Sequence, residues 1–319
     1  MTVMSSTAFV FAGQGSQIVG MGKDLAEQFP IARTTFQQAD DVLGFALSEL
    51  CFNGPDDQLN DTINTQPALF VYGIAVMRVL QSERPHAQPA YLAGHSFGEL
   101  TALVAAGALS FEDGLRLVRE RGRVMKAAGD TSPGAMAAVL GLDVDKLRDV
   151  CAAAAAQTGG VLVIANDNCP GQIVISGDVN SIEAGMNLAK AAGAKRIVKL
   201  AVSIASHSPL MAIAAGEFTK ALESTHFQTP RIPVYANVTA APLTDAASIR
   251  QELALQLTST VRWTDSVRRM TADGASRFVE FGPKDVLTGL IKRIDDKVTA
   301  LPLNNAAALQ AFVQTVEEV

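Results

Sequence analysis

The hydrophobic pattern divides the first third of the chain into alternating strand and helix signals. Ala8–Ala12 is a short apolar run typical of a buried strand, and it leads into the turn-rich segment Gly13–Gln17. Tyr91–Ala93 is a second short strand, followed at once by Gly94–Gly98 and then by an alanine-rich helix. Strands that alternate with helices predict an α/β fold with a parallel sheet.

Two further segments have helical spacing. Pro67–Leu80 is almost wholly apolar and predicts a buried helix with its proline in the first turn, where proline is tolerated. Phe111–Lys126 is amphipathic and rich in arginine. Both helices would pack on the sheet that the two apolar runs predict.

The pattern changes near Gly134. From there to Val202 the order of strand and helix signals is βαββαβ, which is typical of a small ferredoxin-like unit. The α/β pattern returns beyond Ser206. We therefore expect residues 131–203 to form an inserted ferredoxin-like subdomain, and residues 1–130 and 204–319 to form the larger catalytic subdomain.

Composition and charge exclude several classes of protein. The chain has 319 residues, of which 48% are hydrophobic, and a net charge of −6. An acidic chain would be repelled by phosphates, so no nucleic-acid partner is expected. The apolar stretch Leu92–Leu109 contains His95, Ser96 and Glu99, which a bilayer would reject, so no membrane partner is expected either.

The cysteines indicate neither disulfide bonds nor a metal site. Cys51, Cys151 and Cys169 are few and widely spaced, which fits neither a disulfide framework nor a zinc site. Buried, reduced thiols are the simplest interpretation. We therefore expect a cytoplasmic protein without a bound metal.

Gly94–Gly98 matches G-x-S-x-G, the nucleophile elbow. A serine on a sharp strand-to-helix turn stands exposed, and the flanking glycines leave room for the turn. The following backbone N–H groups face the oxyanion that develops during attack. The strand before and the helix after the motif are the context that the elbow requires, so Ser96 is predicted to be a nucleophile.

A serine nucleophile needs a base, and the chain has four histidines: His86, His95, His207 and His226. The first and last lie in polar stretches near prolines. His95 adjoins the serine and is expected to shape the elbow. His207 follows a predicted strand, from whose end a base can reach the nucleophile. The position of His207 by itself does not decide between a catalytic base and a purely structural histidine.

The motifs taken together resemble the malonyl-coenzyme A:acyl carrier protein transacylase family, either stand-alone fatty-acid enzymes or discrete polyketide acyltransferases. The matching segments run nearly end to end and are Phe11–Gln17, Thr65–Leu69, Gly94–Glu99, Arg121–Gly122 with Met125, Gly134–Met136, Asn166–Gln172, Ser206–Met211, Val261–Trp263 and Glu280–Pro283.

The resemblance implies an α/β-hydrolase-like fold for the larger subdomain, and it implies roles for the reacting groups. Ser96 matches the serine that forms the acyl-enzyme, and His207 matches the general base. In this family a backbone carbonyl orients the base, and the matching residue is Gln256. The backbone N–H groups of Gln14 and Phe97 match the oxyanion hole.

The resemblance also implies how the acyl group is held. Arg121 matches the arginine that binds the free carboxylate of a malonyl group, as a planar guanidinium can do with two hydrogen bonds. Gln66, Asn166 and Asn168 match polar residues that line the cleft. Without the resemblance, Arg121 on an arginine-rich helix would more often belong to a solvated face.

The implied reaction transfers a malonyl-type group from coenzyme A to the phosphopantetheine thiol of an acyl carrier protein, with no bound cofactor. A trans-acting polyketide acyltransferase with another extender and a proofreading acyl hydrolase remain as alternatives. Ser206 does not decide whether the transferred group is malonyl or a substituted malonyl. Because carrier proteins are acidic, Lys126, Lys195, Arg196 and Lys199 are expected to form a local basic docking patch.

Overall fold

The computed structural model describes residues 3–315 as an α/β protein with two sheets. The strands are β1 (Val3–Phe11), β2 (Gln88–Gly94), β3 (Gly134–Leu140), β4 (Leu162–Cys169), β5 (Gln172–Asp178), β6 (Arg196–Lys199), β7 (Val234–Tyr235), β8 (Pro242–Leu243), β9 (Arg277–Phe281) and β10 (Thr299–Pro302).

The helices surround these sheets. They are α1 (Lys23–Gln28), α2 (Pro30–Leu43), α3 (Leu47–Asn53), α4 (Asp56–Asn60), α5 (Thr62–Glu83), α6 (Gly98–Ala105), α7 (Phe111–Thr131), α8 (Val144–Thr158), α9 (Val179–Ala191), α10 (Ala212–Ser224), α11 (Ala246–Gln256), α12 (Trp263–Ala272), α13 (Val286–Ile294) and α14 (Ala306–Thr315), with a 3₁₀ turn at Pro209–Met211.

The larger sheet has the strand order β10-β9-β1-β2-β7-β8. Its first five strands are parallel, and β8 pairs with β7 in the antiparallel sense. The central strand β1 buries both of its faces, as its continuous apolar run predicts. Because β1 and β2 are parallel neighbours, their carboxyl ends place the segments after Phe11 and Gly94 side by side.

The second sheet is antiparallel, with the order β4-β5-β3-β6. Together with α8 and α9 it has the ferredoxin-like arrangement, so the predicted fold class is confirmed. The sheet joins the larger part through Val261, whose N–H donates to the carbonyl of Ala165 at 2.8 Å. The small sheet extends from Gly134 to Lys199, and the subdomain boundaries at 131 and 203 stay a prediction.

The apolar helix α5 begins earlier than its sequence pattern predicts. It starts at Thr62, capped by Asp61, so Pro67 lies inside the helix rather than in its first turn. A proline there donates no hydrogen bond to the carbonyl four residues back. That carbonyl, of Ile63, instead accepts from Arg119 Nη1 at 2.6 Å, and the guanidinium replaces the missing N–H.

Helix α5 is also the one helix in residues 3–315 that is long and apolar enough to cross a membrane. Of its most apolar window, 83% is buried inside the protein. Its all-round apolar surface is therefore that of a core helix, packed against α2 and α7.

Candidate active site

The turn between β2 and α6 has the geometry of a nucleophile elbow. Ser96 has a φ of 54°, in the left-handed region that a non-glycine residue adopts only under local constraint. A Cβ at Gly94 would lie 1.9 Å from the carbonyl oxygen of Gly98, so neither strand nor helix could approach as closely with a larger residue. The close approach presents the Ser96 side chain at the carboxyl edge of the sheet.

Asn237, which lies just beyond the neighbouring strand β7, holds this strained turn. Its Oδ1 accepts from the Ser96 N–H at 2.7 Å, and its Nδ2 donates to the carbonyl of Gly94 at 2.8 Å. No motif in the sequence indicates this role of Asn237. A polar residue just beyond β7, at the same sheet edge as the elbow, was the available signal.

His207 is hydrogen-bonded to the nucleophile. Its Nε2 lies 2.8 Å from Ser96 Oγ, and its Nδ1 lies 2.8 Å from the main-chain carbonyl oxygen of Gln256. A carbonyl only accepts, so the proton is on Nδ1 and the Nε2 lone pair faces the serine. Burial, and then the positive charge of Arg121, lower the pKa of His207 to about 3, which keeps the imidazole neutral.

Arg121 lies behind the serine with almost no exposure. Nη2 donates to Ser96 Oγ at 3.1 Å and to Gln256 Oε1 at 2.9 Å, while Nη1 donates to Gln66 Oε1 at 2.9 Å. Nη1 also contacts the sulfur of Met125 at 3.2 Å. The guanidinium is thus held between two glutamine amides and touches the nucleophile.

No acidic side chain forms an ion pair with Arg121 among residues 3–315. Burial lowers its pKa to about 9, and the charge of Glu99 opposes that shift only in part. Its Nε–H has no hydrogen-bond partner in the described part of the chain. A buried cation with an unused donor is costly unless an anion joins it, so the site is suited to a ligand carboxylate.

The two expected oxyanion donors, the backbone N–H groups of Gln14 and Phe97, stay a prediction. Gln14 and Phe97 both line the cavity that holds Ser96. Within residues 3–315 the backbone N–H of neither residue donates to another protein group. Phe97 adjoins the start of α6, whose dipole also favours negative charge.

Comparison with known proteins agrees with this geometry. The family described as the acyl transferase domain matches residues 8–309. The chain belongs to this family. The resemblance inferred from the motifs is thereby confirmed, and it covers nearly the whole chain.

Similar proteins of this family carry the same kind of name. The chain is 42% identical to a malonyl CoA-acyl carrier protein transacylase of Bacillus subtilis, over 99% of this chain and 98% of that protein. It is 44% identical to the protein so named in Haemophilus influenzae, over 97% of this chain and 98% of that protein.

Solved structures of the family are equally similar. The malonyl-CoA:acyl carrier protein transacylase of Xanthomonas oryzae pv. oryzae superposes with a TM-score of 0.95 and 45% identity, over 99% of this chain and 100% of that one. A malonyl-transacylase in complex with a type II PKS acyl-carrier protein superposes with a TM-score of 0.94 and 42% identity, over 98% and 100%.

Two of the expected cleft residues lie behind the cleft rather than in its wall. Gln66 is fully buried behind Arg121, and its Nε2 donates to Thr62 Oγ1 at 3.0 Å. Asn168 is hydrogen-bonded through Oδ1 to Nε2 of His95 at 2.8 Å. Of the three, only Asn166 lines the cavity. The periodicity of a helix or strand does not show which of its side chains other residues separate from the cavity.

The cavity that contains Ser96 has a volume of about 570 Å³. One wall comes from the larger part of the chain and the other from the small sheet and the segment after it. The small-sheet side is formed by Met136, Asn166 and Leu200–Val202. The described residues contain no cluster of three or more His, Cys, Asp or Glu side chains suited to a metal ion.

Proposed function

We propose that this chain is a malonyl-coenzyme A:acyl carrier protein transacylase. The observation that carries the proposal is Arg121, a buried cation that has no ion-pair partner among residues 3–315 and whose Nη2 lies 3.1 Å from Ser96 Oγ. A malonyl group attached through its thioester carbonyl to Ser96 ends in a carboxylate that Arg121 can bind. The names of the family's relatives support the same substrate and acceptor.

The first half-reaction acylates Ser96. Its hydroxyl oxygen attacks the thioester carbonyl while its proton moves to Nε2 of His207, and the N–H groups of Gln14 and Phe97 stabilise the oxyanion. Each such donor is worth about 3 kcal/mol in enzymes where one has been removed. The intermediate collapses, the carbon–sulfur bond breaks, and coenzyme A leaves with the proton from His207.

The second half-reaction reverses these steps with a new thiol. The phosphopantetheine thiol of the carrier protein gives its proton to His207 and attacks the ester carbonyl. The ester bond to Ser96 breaks, and the serine oxygen recovers the proton. Neutral His207, held with its lone pair toward Ser96, is competent for both proton transfers.

Arg121 also separates this function from its alternatives. A proofreading hydrolase that releases neutral acyl groups would leave the guanidinium unpaired, whereas a carboxylated acyl group satisfies it. Fatty-acid and polyketide carriers present the same thiol, so the acceptor is a carrier protein of either pathway. We place the reaction in the cytoplasm, with coenzyme A thioesters as donors and no bound cofactor.

Intact-mass spectrometry tests this proposal directly. The wild-type protein is mixed separately with malonyl-, methylmalonyl- and acetyl-coenzyme A, and the mass added to the protein is read before and after addition of holo carrier protein. A malonyl adduct that forms fastest and disappears onto the carrier is expected. An adduct that forms equally from acetyl-coenzyme A, or is released only to water, would contradict the proposal.

A further inference from the structure

A buried acid lies next to the elbow and has no part in the reaction proposed above. Glu99, in the first turn of α6, is fully buried, and its Oε1 has no hydrogen-bond partner among residues 3–315. Burial, and then the nearby charge of Glu252, raise the pKa of Glu99 well above its ordinary value. A carboxyl in such a place is costly, so its contacts should show what it does.

One side-chain hydrogen bond joins Glu99 to Gln256, and the backbone N–H of Asn237 also interacts with the carboxyl. Glu99 Oε2 accepts from Gln256 Nε2 at 2.5 Å, and the same nitrogen donates to the main-chain carbonyl of Ser96 at 3.0 Å. Two acceptors therefore face one end of the amide. The other end, Oε1, faces Nη2 of Arg121 at 2.9 Å.

The amide of a glutamine can be turned by half a rotation with little change of shape, so its neighbours decide its orientation. The reverse orientation here would put an NH₂ group against the guanidinium and a carbonyl oxygen against two acceptors. Glu99 and the Ser96 carbonyl oppose that arrangement together. The orientation observed is the one that turns an acceptor toward Arg121.

We infer that Glu99, acting through the side chain of Gln256, is a positioning residue that sets the enzyme's selectivity for carboxylated acyl groups. The inference rests on the proposed function, in which Arg121 binds the distal carboxylate. Gln256 then acts twice: its main-chain carbonyl orients His207, and its side chain holds the plane of Arg121. An acetyl group needs the first of these and not the second.

The test compares malonyl and acetyl transfer in variants that separate the two roles. Gln256→Met keeps the main-chain carbonyl and removes the amide, and Glu99→Leu removes the acceptor that orients it. In both, the malonyl-to-acetyl ratio of kcat/KM should fall by about tenfold or more, the effect of losing a hydrogen bond to a charged group. The loss should lie mainly in KM for malonyl-coenzyme A.

Conservative and matched variants complete the test. Glu99→Gln keeps an oxygen that can accept from Gln256 Nε2, and it should restore most of the ratio. Glu280, a buried acid of β9 whose oxygens accept from the N–H groups of Leu287 and Thr288, provides the control. Glu280→Gln should leave the ratio unchanged. Thermal melting of each variant shows that it is folded.

The outcomes distinguish this inference from the proposed function. If the wild-type protein prefers malonyl but Gln256→Met and Glu99→Leu keep its ratio, the inference is overturned and the function stands. An equal fall of the ratio in Glu280→Gln overturns it as well, since the loss of any buried acid would then lower the malonyl-to-acetyl ratio. A wild-type protein that loads no malonyl overturns the proposed function and the inference with it.

Discussion

The two sides of the active site are built differently. On the nucleophile side, the elbow is defined by main-chain geometry: a left-handed φ at Ser96 and the close approach of strand and helix at Gly94. On the other side, Arg121 is held by side chains: the amides of Gln66 and Gln256, the sulfur of Met125 and the hydroxyl of Ser96.

This difference separates the chemistry of attack from the choice of acyl group. Backbone donors meet any thioester carbonyl in the same way, so the nucleophile side cannot tell malonyl from acetyl. In the proposed function, the side-chain network around Arg121 binds the distal carboxylate of the acyl group, although Nη2 also donates to Ser96 Oγ in this structure. Changes on the first side should therefore affect all substrates alike, and changes on the second should alter their ratio.

Removal of the nucleophile should have the largest effect. We expect Ser96→Ala to lower transfer of malonyl and acetyl alike by roughly six orders of magnitude, as in serine hydrolases that lose this group. The measurement is the rate of acyl adduct formation by intact mass, with the thermal melting curve as a check on folding. An adduct formed by Ser96→Ala at the wild-type rate would show that another residue is the nucleophile.

Removal of the guanidinium should change the ratio rather than all rates. A hydrogen bond to a charged group is worth about 1.5–3 kcal/mol, so Arg121→Ala should lower the malonyl-to-acetyl ratio of kcat/KM roughly 10- to 150-fold. Arg121→Lys should recover only part, because an ammonium lacks the planar fork. A ratio common to wild type and both variants would exclude Arg121 as the carboxylate ligand.

Loss of the elbow support should affect both substrates together. Asn237→Ala leaves the partly buried Ser96 N–H without its acceptor, which costs about 1–3 kcal/mol. The free energy of unfolding should fall by that amount, and kcat/KM should fall for malonyl and acetyl in equal proportion. Denaturant titration and steady-state kinetics measure the two effects. A selective loss of malonyl transfer would contradict the division between the two sides.

The pH dependence of kcat/KM should depend on both sides of the site, because Arg121 lowers the pKa of His207. Neutral His207 is required, so the acid limb of kcat/KM in the free enzyme should lie well below pH 6.5. In Arg121→Met the limb for acetyl transfer should move to higher pH. Lys126→Met is the control, since Lys126 is paired with Asp61. Superimposable limbs in wild type and Arg121→Met would rule out this coupling.

The same shift affects stability. The pKa of His207 is lower in the folded protein than in the unfolded chain, so the unfolded chain binds more protons between about pH 3 and pH 6.5. The contribution of His207 to stability is therefore present above pH 6.5 and is lost as the pH falls toward 3. His207→Gln should flatten this part of the stability profile measured by thermal melting.

The smallest effect is expected at the carrier-docking patch. The structure pairs Lys126 with Asp61 and Lys199 with Glu183, whereas Lys195 and Arg196 are exposed. Charge reversal of Lys195 and Arg196 together should raise KM for the carrier a few-fold, as expected of rim charges, without slowing acylation by malonyl-coenzyme A. A carrier KM unchanged at low salt would exclude this patch.

Much of the site could be predicted because its signals are local. The elbow is five consecutive residues between a strand and a helix, and its close contacts follow from that turn. Other features could not be predicted. Pro67 lies inside its helix because Arg119 satisfies the carbonyl that the proline leaves free, and a single segment cannot show such a partner. Asn237 acts on the elbow from 141 positions away.

The sequence by itself determined the α/β class and the nucleophile turn, and through the family's motifs it predicted the roles of Ser96, His207 and Arg121. Only the tertiary structure decided what surrounds Arg121. Its two amide partners lie 55 and 135 positions from it along the chain. Their meeting depends on how α5, α7 and α11 pack on the sheet, because a buried polar group takes its partners from whatever elements the core brings together.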